Sequence, residues 1–153
     1  MAITIRSAED HDIPEMAQIR SEEWGDHAFW KDRIAGYKHG EHFPQQALPE
    51  RAVLVAIDEG NVVGFAAGHK TRRFDCDGEL QWINVAAQKR GQGIADQLIT
   101  RIGAWFVEQK AKRVCVNVDP RNEAARRFYA RCGARSLNEH WMIWDDARFM
   151  GGS

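Results

Sequence analysis

Gln88-Lys89-Arg90-Gly91-Gln92-Gly93-Ile94-Ala95 is the stretch on which the reading of this chain turns. Before it, Leu80-Gln81-Trp82-Ile83-Asn84-Val85 has the composition of a buried strand. After it, Ile94, Leu98, Ile99, Ile102, Trp105 and Phe106 recur at helical spacing up to about Lys110. The octapeptide is therefore a strand-to-helix turn. Two glycines one residue apart let the backbone bend tightly and approach a ligand without Cβ clashes. The first N–H groups of the helix have no intrahelical partner, and the helix dipole favours an anion beside them. Lys89 and Arg90 add positive charge at the same mouth. Taken alone, the segment fits a phosphate cradle or a plain surface β–α turn.

The flanking sequence supplies the rest of a domain. Ile3 to Arg6 reads as a short strand. Residues 11–24 read as an amphipathic helix with Asp10 as N-cap, Pro14 tolerated in its first turn, and Ile13, Met16, Ala17 and Ile19–Arg20 giving it an amphipathic face. A second helix is expected over Ala28 to Tyr37, ending near Gly40, and Pro44 and Pro49 mark a loop. Val53–Ile57, the turn Asp58-Glu59-Gly60-Asn61, and Val62–Ala67 predict a β-hairpin. Downstream, Arg113–Val118 is a further strand. Strand–helix–strand of this length is a βαβ unit, so its two strands should lie parallel. Asn122 is a good N-cap for a helix reaching Cys132, Gly133 is its stop, and Trp141–Trp144 is a closing strand. The expected fold class is α/β (α+β). It is one domain over residues 1–153, with a mixed, mostly antiparallel sheet, a parallel βαβ unit at the cleft, and helices on both faces.

Bulk properties narrow the class. Apolar content of 44% and charged content of 28% suit a soluble globular chain of 153 residues with a real core. No apolar run approaches the roughly 18 residues of a membrane span, and the N-terminus lacks a signal-peptide profile. A cytoplasmic location is expected. Cys76, Cys115 and Cys132 are odd in number and widely spaced, which argues against a disulfide framework or a zinc site. His39 and His42 lack the partners a metal site needs, so no metal is expected. Residues 1–76 carry nine basic against thirteen acidic side chains, and residues 77–153 carry twelve against nine. A basic half around the glycine turn suits a phosphate-bearing ligand, and an acidic half suits a cationic partner.

Other phosphate binders fit poorly. A dinucleotide fingerprint needs Gly or Ala at the position of Asp96, and a P-loop needs a Gly-Lys-Ser/Thr ending that is absent. The arrangement instead resembles the GCN5-related N-acetyltransferase (GNAT) family. Its acetyl-CoA signature, [QR]-x-x-G-x-[GA], is matched by Gln88-Lys89-Arg90-Gly91-Gln92-Gly93. The likeness continues in Asn122-Glu123-Ala124-Ala125-Arg126-Arg127-Phe128-Tyr129-Ala130-Arg131-Cys132-Gly133-Ala134, and the order of elements from residue 3 to 144 fits as well. Ala86-Ala87 departs slightly from relatives that carry a proline there.

The resemblance implies acetyl-CoA in a cleft where the strands ending at Val85 and Val118 splay apart. Backbone N–H groups from Arg90 through Gly91, Gln92, Gly93 and Ile94 to Ala95 would hold the pyrophosphate, with Gln88 opening the motif. Ile83, Asn84 and Val85 would pair with the pantetheine arm like an added strand, and the Val85 N–H would polarise the thioester carbonyl. Asn122 would contact the cofactor while also capping its helix. Arg126 could meet the adenosine phosphate or remain a solvated helix arginine. Tyr129 matches the general acid that meets the leaving sulfur. Glu79 is the candidate base, directly or through water, because six residues of strand alternation set it on the face of Val85. An exposed strand-start carboxylate is the alternative, with Asp75 and Asp77 nearby.

An amine-bearing small molecule or peptide is the implied acceptor, attacking the thioester directly in a ternary complex. Glu22, Glu23, Trp24 and Asp26, with Trp30 and Tyr37, could bind its cation or simply be an acidic helix end over core aromatics. No nucleic-acid or membrane partner is expected, and a homodimer is allowed. Two other readings stand beside the enzyme. One is a non-catalytic acyl-CoA-sensing or partner-binding module on the same fold. The other is an interaction protein using an exposed Trp141–Trp144 patch, although the alternation there favours a buried strand.

Overall fold

In a computed structural model describing residues 2–151, the apolar runs become a seven-stranded sheet. Strand β1 (Thr4–Ser7) precedes helices α1 (Ile13–Trp24) and α2 (His27–Lys38). Strands β2 (Ala47–Asp58), β3 (Asn61–Thr71) and β4 (Gly78–Val85) follow. After α3 (Ile94–Glu108) come β5 (Val114–Asn117), α4 (Glu123–Arg131), β6 (Arg135–Asn138) and β7 (Trp141–Trp144). The strand order is β1-β2-β3-β4-β5-β7-β6. Only β4 and β5 run parallel, flanking α3 in the expected βαβ unit, and every other pair is antiparallel.

Helices cover both faces, and the core divides accordingly. On one face, Ile94, Leu98, Ile102 and Phe106 of α3 pack on Leu54, Ala66, Leu80 and Val116, joined by Tyr129 of α4. On the other, Met16 and Ala17 of α1 and Ile34 and Tyr37 of α2 pack on Val55, Phe65 and Trp82. Trp141–Trp144 is an inner strand with Met142, Ile143 and Trp144 buried, not an exposed patch.

The β2–β3 hairpin turns on Glu59 and Gly60, both at positive φ (50° and 81°), as a two-residue turn matching strand twist requires. Its strands run past the apolar cores because pairing extends to Arg51/His69 and Ala47/Thr71.

One expectation is corrected. Asp10 does not cap α1. The chain enters through a short 3-10 turn at Asp10–Asp12, and the helix begins at Ile13. Asp12 takes the Arg6 guanidinium in two bonds (2.7 and 3.0 Å) and the Glu9 N–H at 2.8 Å. Asp10 instead accepts from Lys38 and His39 of the α2 end. Strand β6 has no signal in the apolar pattern after Gly133, although the likeness to the family implies a strand there. It is a sheet edge that buries only part of Leu137, so it carries no apolar alternation and exists through pairing with β7.

Candidate active site

The site begins where two parallel strands stop pairing. Strands β4 and β5 are in register only at Gly78/Val114, Glu79/Cys115 and Leu80/Val116. At that point β4 also carries a bulge. Its register against β3 jumps from Gly68/Leu80 to Ala67/Trp82, leaving Gln81 as the extra residue. A bulge bends its strand and raises the local twist, so the second half of β4 diverges from β5. The opening is a cleft of about 890 Å³ between β4, β5, α1, the glycine turn and α4.

The divergence leaves one backbone edge unpaired. The Ala86 N–H donates to the Val63 carbonyl at 2.9 Å, which makes that a hydrogen-bonded pair. By antiparallel alternation Val85, opposite Gly64, and then Ile83, opposite Ala66, turn their N–H and C=O groups away from β3, toward the splay. The Arg90 Nε–H, 3.3 Å from the Val85 carbonyl, shows that this edge is open on the cleft side. The Asn84 main chain faces β3 instead. Its side chain lines the cleft and accepts from Arg20 Nη1 at 3.0 Å.

The glycine turn lies at the end of this edge. Gly91 and Gly93 have φ of +79° and +81°, and a Cβ on either would meet nothing within 4 Å. Backbone conformation, not space, requires glycine there. Gly93 is the N-cap of α3 and has no side chain to satisfy the first N–H groups. The first helical bond runs from the Gln97 N–H to the Gly93 carbonyl, so the N–H groups of Ile94, Ala95 and Asp96 are uncapped at the cleft rim. Arg90, Gly91, Gly93, Ile94 and Ala95 line the cleft; Gln88 and Gln92 do not, and both are solvent-exposed.

Across the cleft, Asn122 lines the wall and its Oδ1 accepts the Ala125 N–H at 3.1 Å, so it caps α4 where a ligand would touch it. Tyr129, 8% exposed, packs edge-on against Trp144, and its hydroxyl has no hydrogen-bond partner among the described residues. Burial pushes its phenol up to about 12, partly opposed by the Arg20 charge. The hydroxyl therefore keeps its proton at neutral pH. Arg126 turns away from the cleft to Glu139 O and Ser136 Oγ.

Glu79 lies on the cleft floor, but not as alternation alone predicts. The Gln81 bulge resets the strand's parity. Leu80, Ile83 and Val85 pack toward α3, whereas Trp82 packs toward α1 and α2. Glu79 belongs with Trp82, on the face opposite Val85. It is also buried, not an exposed strand start. Arg73 Nε donates to its Oε1 at 3.2 Å, and His69 Nε2 lies 3.5 Å from the same oxygen. On the far side of the imidazole, Nδ1 is 2.8 Å from the Tyr37 hydroxyl. This Tyr37–His69–Glu79 line was not foreseen. Its members come from three elements, and nothing in the local sequence around His69 marks it. Asp77 is spoken for, accepting the Lys112 and Arg113 N–H groups before β5.

The acidic end of α1 also differs from expectation. Glu22 accepts the Ala87 N–H at 3.2 Å and Glu23 pairs with Arg90 at 2.5 Å, so both are joined to the glycine turn. Asp26 caps α2 through the Phe29 N–H, and Tyr37 is fully buried. None of these four is a free cation site. Arg20 was overlooked as a site residue. It lines the cleft with its guanidinium carbon 5.0 Å from the Trp24 ring centre and 4.6 Å from that of Trp30. Its signal was only its place one turn before Trp24. Among the described residues, no group of three or more His, Cys, Asp or Glu side chains could hold a metal, and no helix is long and apolar enough to cross a membrane.

With this geometry in hand, comparison with known proteins is decisive for the class. The profile of the Acetyltransferase (GNAT) family matches residues 13–134, and the chain belongs to that family. An uncharacterised N-acetyltransferase of Mycobacterium tuberculosis is 35% identical over 85 residues, 56% of this chain and 53% of that protein. The chain thus matches about half the length of that relative. Among solved structures, Ard1 from Thermoplasma volcanium superposes with a TM-score of 0.75 at 21% identity, covering 94% of this chain and 97% of that one. The PaiA N-acetyltransferase of Thermoplasma acidophilum in complex with coenzyme A gives 0.72 at 13% identity, covering 95% and 99%. At these identities the two structures speak to the fold alone.

Proposed function

We propose that this acetyltransferase takes its acetyl group from acetyl-CoA and transfers it to a primary amine of a small molecule or peptide, by direct attack in a ternary complex. One observation carries the reading. A free backbone edge at Ile83 and Val85 leads to the uncapped N-terminus of α3, and a protonated, buried phenol lines the same cleft. The residues present fit the donor. Main-chain N–H groups of Ile94 and Ala95 suit a pyrophosphate, and Arg90 can exchange its bond to the Val85 carbonyl for one to phosphate. Asn122 would touch the arm from α4. The similarity to an N-acetyltransferase solved with coenzyme A supports the same donor class.

Each protein group then has a defined task. The Val85 N–H polarises the thioester carbonyl, a single-donor oxyanion site. An amine such as lysine, with a pKa of about 10.4, must lose a proton before it attacks. Glu79, directly or through water, is the acceptor for it. As the C–N bond forms and the C–S bond breaks, the Tyr129 O–H donates to the departing thiolate, and the second proton of the attacking nitrogen passes through solvent to that thiolate, leaving an amide and a free thiol. A phenol near 12 is a weak acid beside a thiol of about 8.5, so its main contribution is a hydrogen bond to the thiolate. Proton transfer from the phenol itself is completed only where the same burial raises the thiol as well.

Calorimetry with acetyl-CoA tests the donor, and the expected result is saturable one-site binding; no heat with acetyl-CoA or CoA would end the proposal. A thiol-release screen across amine classes tests the reaction. Tight binding without release from any amine would favour the sensing module instead.

A further inference from the structure

The α1 wall of the cleft holds a cation with almost no counter-ion. Of the five N–H groups of Arg20, one on Nη1 donates to Asn84 Oδ1 at 3.0 Å. Nε is buried without a partner, and Nη2 has none among the described residues. Glu23 exerts some attraction, yet its carboxylate is engaged by Arg90 at 2.5 Å. Burial brings the guanidinium down to about 10. A charge held this way is costly unless something pairs with it.

We propose that Arg20 is the acceptor-binding determinant, and that the acceptor is an amine that also carries a carboxylate, gripped by the guanidinium beside the Trp24 and Trp30 rings. The inference rests on the N-acetyltransferase reading above and names the substrate class of that site. Three observations carry it. First, Arg20 meets Asn84, which shares with Trp82 and Glu79 the sheet face opposite α3. A ligand there reaches the Val85 edge only across the splay, which is the geometry of an acceptor. Second, the Nη1/Nη2 fork keeps unused hydrogens, and a planar fork matches a carboxylate in two parallel bonds. The flanking indoles pack against the guanidinium and hold its plane. Third, the Glu79 carboxylate lines the same cleft, and Arg73 engages only its Oε1, so Oε2 and the Arg20 fork are a polar pair of opposite sign around a single ligand space. That pattern complements an ammonium and a carboxylate on one molecule, and it disfavours a polycation.

Matched acceptors test the proposal: α-amino acids, their amides, the amines lacking the carboxylate, and a polyamine, each assayed by thiol release. The carboxylate-bearing member should be preferred in kcat/KM by roughly ten- to a hundredfold, the range of charge-assisted hydrogen bonds. Arg20→Gln should erase that preference mainly through the acceptor KM, and Arg20→Lys should restore part of it. Acetyl-CoA affinity should be unchanged in both, with thermal melts verifying that they fold. Equal use of the members, preference for the amide or polyamine, or no turnover of any carboxylate-bearing amine would overturn it. So would a preference that survives Arg20→Gln. Weakened acetyl-CoA binding in Arg20→Gln would also overturn it, by assigning Arg20 to the donor. The wild-type comparison needs no variant, and absent acetyl-CoA binding by the wild-type chain would strike the enzyme reading instead.

Discussion

Between Val85 and Ala95 nearly every group offered to a ligand is a main-chain N–H or C=O, whereas the wall shared by α1 and β4 is made of side chains from residues 20, 24, 79 and 84. The first region is organised by local dihedral angles: two left-handed glycines, an uncapped helix start and a strand edge released by a bulge. The second is organised by packing between elements distant in sequence, with Arg20 held by α2 and β4, and Glu79 held by β3 and the loop after it. A main-chain site tolerates changes in most side chains and fails when a dihedral is lost. A side-chain site fails one residue at a time.

That contrast can be broken by mutation. The largest expected effect is Glu79→Gln, which should cut kcat roughly a hundredfold, within the range of general-base loss, while acetyl-CoA affinity stays within twofold. A comparable loss of donor affinity would erase the division between the two regions. Gly93→Val should act in the opposite sense. Forcing a β-branched residue to a φ of +81° costs about 1–2 kcal/mol, so acetyl-CoA binding by calorimetry should weaken roughly five- to thirtyfold. Unaltered binding would show that the cradle does not depend on its dihedrals.

Tyr129→Phe should lower turnover by about an order of magnitude or more with donor affinity nearly intact. Because the phenol is pushed up to about 12, the wild-type pH–rate profile should show no loss from its ionisation below about pH 11. A Tyr129-dependent fall near neutral pH would remove it from the acid role. The smallest effect concerns how α1 is anchored. Asp12 is buried and held below the usual carboxylate range chiefly by its hydrogen bonds from Arg6. Its contribution is full above the unfolded pKa of about 3.9 and is lost as pH falls through the lower folded value. Asp12→Asn should lower stability by about 1–3 kcal/mol at neutral pH and flatten the acid limb of the stability curve. Acetyl-CoA affinity should not change.

The same contrast governs what was legible in the sequence. The hairpin, the βαβ unit and the glycine turn announce themselves because turn chemistry and periodicity are local. Gln88 and Gln92 fit the motif but lie outside the cleft, since a signature records spacing and not which side chains face inward. Glu79 was found by position and assigned the wrong face, because one extra residue at Gln81 inverts every later alternation in β4 and leaves no mark in composition. Asp10 and Asp12 are both competent caps, yet neither side chain caps α1, because Asp12 is taken by Arg6 and the Glu9 N–H and Asp10 by Lys38 and His39. Arg20 and the Tyr37–His69 pair depend on contacts spanning tens of residues, which periodicity does not encode.

The Gln81 bulge has an evolutionary consequence. Upstream of it Glu79, and downstream of it Trp82 and Asn84, lie on the face opposite α3, while Ile83 and Val85 offer main-chain atoms that substitution leaves in place. On the proposed reading, a lineage could therefore vary the side chains that would choose the acceptor without rebuilding the part that would hold the donor. Deleting one residue at that position would be far more drastic than any exchange, because it would swap the two inventories along the rest of the strand.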